Sequence, residues 1–85
     1  MKLKSIFSNY RVLVDRIMKQ GEQEEEAFRP VEIREKLYEI TKEVINPDTL
    51  HKYISRKYHR VPFKSNYLYG TKKTIELYKS KMERL

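Results

Sequence analysis

Cysteine is absent from the 85 residues. No disulfide framework and no thiolate metal site can be built, which fits a reducing compartment. Glycine occurs only twice, and neither GxGxxG nor GxxxxGK[ST] is present. A phosphate-cradling loop is thereby excluded. Long apolar runs are missing as well. The longest aliphatic run is Val12, Leu13 and Val14, far short of the ~20 residues of a membrane span. Met1, Lys2, Leu3 and Lys4 lack the apolar core of a signal peptide. A cytoplasmic location is therefore expected. The most telling absence is local: no Asp or Glu occurs between Asp48 and Glu76.

What is present describes one small folded domain. Hydrophobic residues make up 39% and charged residues 36% of the chain, with seven Tyr and three Phe. That aromatic content argues against disorder. A chain of this size buries roughly 60–65% of its unfolded surface, enough for one modest core but not for a deep substrate cleft. The net charge is +7. Residues 1–43 carry nine Lys/Arg and nine Asp/Glu, whereas residues 44–85 carry ten and three, so the second half holds the whole excess. A polyanion is the matching partner, through phosphate neutralisation and counterion release.

Periodicity places the helices. Leu3, Ile6, Phe7, Tyr10, Leu13, Val14, Ile17 and Met18 keep helical spacing and predict a first helix over 3–20, stopped by Gly21. An acidic loop over 22–26 follows, and Ala27, Phe28 and Arg29 suggest a short strand. Pro30 opens a second helix over 31–43, whose buried sector is Ile33, Leu37, Ile40 and Val44. Asn46 is an N-cap candidate, and Pro47 then falls at the first helical position with Asp48 beside it. A third helix is expected over 47–59, since Pro62 blocks continuation. Leu50, Ile54 and Val61 form its narrow apolar edge. Lys52, Ser55, Arg56 and His59 face the other way, with His51, Tyr58 and Arg60 beside them. Such a helix suits insertion into a DNA groove.

Two short amphipathic helices joined by a tight turn form the helix-turn-helix plan. The run RPVEIREKLYEITKEVINPDTLHKYISRKYHRV resembles the paired helices of winged helix-turn-helix DNA-binding regulators. Glu32 and Ile33 match the pair that opens that family's supporting helix. Asn46, Pro47, Asp48, Thr49 and Leu50 match the start of its recognition helix. The likeness spans residues 28–69, about half the chain. It implies a short hairpin wing over 61–69, with Lys64 as the basic tip and Asn66 in the turn. The turn contains no glycine, and strands of only three or four residues are expected. Thr71 is positioned to cap a last helix over 71–84, with Ile75, Tyr78, Met82 and Leu85 as its stripe. The expected fold is mainly α, with three to four helices, a helix-turn-helix and a short β-hairpin wing.

Catalysis is not expected. His51 and His59 are eight residues apart with no carboxylate near them in sequence, which makes a metal site improbable. Arg56, Tyr58 and His59 supply the residue types of a strand-exchange centre but point in different directions from one helix. No cofactor or small-molecule substrate is expected. Double-stranded DNA is the expected partner, read by Arg56 with His51, Lys52, Ser55 and His59 beside it. Arg60, Lys64 and Asn66 complete the expected contact set. Structured RNA stacked on Tyr53, Tyr58, Tyr67 and Tyr69 is an alternative. A protein-interaction module of a replication, partition or phage-type assembly is another. A single helix-turn-helix usually works as a dimer, and the first and last helices are the candidate surfaces for a homodimer.

Overall fold

The computed structural model describes residues 10–83. They form α1 (Tyr10–Glu24), α2 (Pro30–Thr41), α3 (Pro47–Lys57), β1 (His59–Phe63), β2 (Asn66–Gly70) and α4 (Lys72–Glu83). The fold is mainly helical with a two-stranded antiparallel hairpin after the third helix, a winged-helix-like arrangement. Leu3, Ile6, Phe7 and Leu85 lie outside the described residues, as does residue 84.

α1 buries Val14, Ile17, Met18 and Gly21, one face at helical spacing. Gly21 does not stop this helix, contrary to expectation. It lies within α1, and a Cβ there would stand 2.6 Å from the Glu26 carbonyl oxygen and 2.6 Å from the Phe28 ring. The glycine is needed for close packing. Termination falls to Glu25 in the left-handed conformation (φ 58°), while the Glu26 N–H donates to the Gly21 carbonyl at 2.7 Å. The expected acidic loop is thus partly the last turn of α1.

α2 opens at Pro30, and the Glu32 carboxylate accepts the Arg29 N–H at 2.8 Å. It buries Ile33 and Leu37. Ile40 and Val44 are not buried, being 57% and 74% exposed. The helix ends at Thr41, and Lys42 turns left-handed (φ 61°), so the chain leaves the helical path before Val44. Ile45 enters the core instead. Asn46 caps α3 as expected, its side chain accepting the Asp48 and Thr49 N–H groups at 2.8 and 3.3 Å.

α3 is shorter than expected. It ends at Lys57, Tyr58 is extended (φ −112°, ψ 164°), and His59 already belongs to β1. Val61 is buried, but from a strand. β1 and β2 pair from His59 opposite Gly70 to Phe63 opposite Asn66, leaving Lys64 and Ser65 as a two-residue turn. Each strand therefore has five residues, and Asn66 is in β2. The expected strand at Ala27–Arg29 reduces to one rung, Phe28 bridging Tyr69 through N–H···O bonds of 2.9 and 2.7 Å.

The hairpin divides the core. Tyr69 packs with Val14, Met18, Phe28, Ile33, Leu37, Leu50 and Ile54. Val61 and Leu68, on the other sheet face, pack with Ala27 and Ile75, with Tyr78 and Met82 against them. Thr71 accepts the Thr74 N–H at 3.3 Å and donates its hydroxyl to Glu22 at 2.6 Å, tying the start of α4 to α1. Among the described residues no helix is long and apolar enough to cross a membrane. No group of three or more His, Asp or Glu there is arranged to hold a metal ion.

Candidate nucleic-acid interface

α3 is fixed by its apolar edge, with Leu50 and Ile54 at most 1% exposed. Its outer side is set by that anchor: His51, Lys52, Ser55, Arg56 and Lys57 are all exposed. Lys52 and Arg56 are one turn apart and stand together. Among the described residues, none of Lys52, Arg56, Arg60 and Lys64 forms an ion pair. These four cations are left to solvent or to a polyanion.

The hairpin adds to this side selectively. Cross-strand partners share a face and successive residues alternate. Arg60, Pro62, Tyr67 and Tyr69 therefore occupy one face, and His59, Val61, Phe63, Asn66 and Leu68 the other. The first of these faces adjoins α3, because His51 Nε2 lies 3.3 Å from the Tyr69 hydroxyl and the two rings meet edge to face. Arg60 is stacked over the Tyr67 ring, its guanidinium carbon 4.5 Å from the ring centroid. Lys64 projects from the exposed turn. The structure thus brings together His51, Lys52, Ser55, Arg56 and Arg60, whereas Lys64 leans from the turn toward the other face, its Nζ 5.4 Å from the Phe63 ring centroid. His59 and Asn66 fall on the opposite sheet face. Asn66 and Lys64 there line a depression with Glu26 and Glu32.

Three of the four tyrosines expected to stack on bases are otherwise engaged. Tyr69 is 2% exposed. Tyr53 donates its hydroxyl to Asp15 Oδ1 at 2.8 Å, and Tyr58 donates to the same oxygen. Lys57 Nζ donates to Asp15 Oδ2 at 2.8 Å. Asp15 on α1 thus neutralises one cation of α3 and braces its last turn. Burial pushes the Asp15 carboxyl up, but hydrogen bonds from Lys57, Tyr58 and Tyr53 together hold it below its ordinary value. Burial, and then the bond to Asp15, drives the Tyr58 hydroxyl far above the usual phenol range. Tyr53 is raised for the same two reasons.

Asp15 and Arg11 carry no signal in the sequence beyond lying on the polar side of an amphipathic helix. Arg11 lies 5.3 Å from the Tyr53 ring centroid and 5.8 Å from that of Tyr10, at the edge of α3. Only knowledge of how α1 crosses α3 would have singled them out. Comparison with known proteins adds no relative: no family model, curated protein or solved structure matches the chain.

Proposed function

We propose that this chain is a sequence-specific double-stranded DNA-binding protein, a small transcriptional regulator that lays α3 in the major groove. The observation that carries the reading is the pair Lys52 and Arg56. Both are exposed on a helix anchored by Leu50 and Ile54, and neither is paired with a carboxylate among the described residues. Arg56 is the base reader, since a guanidinium can bond guanine O6 and N7 together. Lys52 and Ser55 flank it. Arg60 and Lys64 neutralise phosphates beside the groove, and the contact of His51 with Tyr69 joins helix to hairpin. Duplex is favoured over unpaired RNA because Tyr53, Tyr58 and Tyr69 are held by the fold, and Tyr67, the one exposed ring of the four, is stacked by Arg60.

The test is selection of duplexes from a random pool, followed by binding of variants to selected and scrambled sites. Arg56→Ala is expected to lose ~1–3 kcal/mol of discrimination between the two. Lys64→Ala is expected to weaken both about equally. Recovery of no preferred sequence, or an equal loss on both sites for Arg56→Ala, rejects the readout role. Preference for an RNA hairpin over the duplex at the same salt rejects the DNA assignment.

A further inference from the structure

A groove runs between the start of α1 and the outer side of α3, lined by Arg11, Thr49, Lys52, Tyr53, Arg56 and Lys57 with Tyr10 at its end. Among the described residues no carboxylate lines it. The acid closest in sequence to Arg11, Asp15, is occupied by Lys57, Tyr53 and Tyr58. Resting on the DNA-binding reading above, we propose that this groove holds a backbone phosphate, with Arg11 as its principal ligand from outside the helix-turn-helix.

Three features support the assignment. First, Arg11 comes from a different element than Lys52, so a phosphate here is gripped from both sides of the groove while the Arg56 guanidinium is kept for the base. Second, Arg11 is preorganised. Its guanidinium lies within 6 Å of two tyrosine rings, which themselves meet edge to face with centroids 6.1 Å apart. A guanidinium set beside two rings presents its N–H fork at less entropic cost than a free lysine. Third, the Thr49 side chain lies in the same groove and brings a neutral hydroxyl donor. A phosphate gripped at this point fixes how α3 is rotated in the groove, since backbone contacts set register while base contacts set sequence. It also brings α1, whose half of the chain has no net charge, into the interface.

The experiment uses the full chain and two variants of equal charge, Arg11→Gln in the groove and Lys19→Gln on an exposed part of α1. Duplex affinity is measured over a range of salt, on the selected and a scrambled site. For Arg11→Gln the slope of log Kobs against log[salt] is expected to become shallower by about 0.9, one phosphate contact. Affinity on both duplexes should fall by the same factor. Lys19→Gln should keep the slope of the unsubstituted chain, and Arg11→Lys should recover most of it. Identical slopes for Arg11→Gln and Lys19→Gln, with the unsubstituted chain binding normally, overturn this assignment alone. No salt-dependent duplex binding by the unsubstituted chain overturns the proposed function and this site with it. In a separate arm, inorganic phosphate is titrated while the amide signals of Arg11, Thr49 and Lys52 are followed. Saturation there, abolished by Arg11→Gln while the duplex slope stays unchanged, marks a small-anion site and also overturns the backbone assignment.

Discussion

Asp15 is the residue on which the orientation of the last turn of α3 depends. It accepts from Tyr53, Tyr58 and Lys57, all donated by α3 or the residue just after it. Because its carboxyl is held below the ordinary value, its contribution to stability is present above the unfolded-state pKa of ~3.9 and is lost as pH falls through the folded value. A buried acceptor of charged hydrogen bonds carries more, but this side chain is 36% exposed, and screening reduces the expected loss for Asp15→Asn to about 1 kcal/mol at pH 7. Urea unfolding at pH 7 and at pH 2.5 checks this, with the variant and the unsubstituted chain converging at the lower pH. A gap that stays constant means that the charge is not what braces the helix. Lys64 shows the opposite balance. It holds the turn at φ 56°, where a Cβ is strained by roughly 1 kcal/mol. Lys64→Gly should therefore raise thermal stability while weakening binding to every duplex. A variant that is both less stable and equally tight in binding would contradict the assignment of this lysine.

At the scale of elements, α1 illustrates what a sequence pattern can and cannot convey. Its buried stripe of Val14, Ile17 and Met18 was legible from spacing, as were the cap at Asn46, Pro47 at the start of α3, and Thr71 before α4. The ends of the elements were less legible, for one physical reason. The signals used for stops were Gly21 and the proline after α3, yet Glu25 and Lys42 end α1 and α2 in the left-handed conformation without glycine. The backbone bonds that close these ends, Glu26 N–H to the Gly21 carbonyl and Lys42 N–H to the Tyr38 carbonyl, are open to any residue type and leave no mark in the sequence. The same cause hid the full length of the hairpin, whose turn uses Lys64 where glycine is the usual signal. For the interface, α3 named its own exposed residues because its apolar edge is narrow. The alternation that sends His59 and Asn66 to the far face required the strand register. Gly21→Ala separates the two readings of that glycine. On propensity alone it should stabilise α1 by up to about 1 kcal/mol. The 2.6 Å approaches to Glu26 and Phe28 predict instead a net loss of roughly 1–3 kcal/mol, as in other overpacked sites. A raised melting temperature for this variant would show that Phe28 can yield.

The whole molecule is electrically lopsided, with +7 carried by residues 44–85 and none net by residues 1–43. Much of this charge is not spread evenly over the surface. Lys57 is neutralised by Asp15, and Lys81 lies 3.8 Å from Glu25 on the α4 side. The free cations Lys52, Arg56 and Arg60 stand on α3 and β1, Arg11 reaches the outer side of α3 from α1, and Lys64 stands at the hairpin turn. With Arg56 on the base, three or four phosphates engaged at once give a slope of about −2.7 to −3.6 in log Kobs against log[salt]. Between 50 and 200 mM salt the affinity for any duplex should then fall roughly 40- to 150-fold. Fluorescence anisotropy on one labelled duplex across that range measures it directly. A slope near −1 would mean that one cation at a time meets the backbone, which is how a basic surface without a docking geometry behaves. A slope in the expected range, together with a smaller one for Lys64→Ala, would place helix and hairpin on the duplex simultaneously. The lopsided charge would then act as the force that orients the molecule before any base is read.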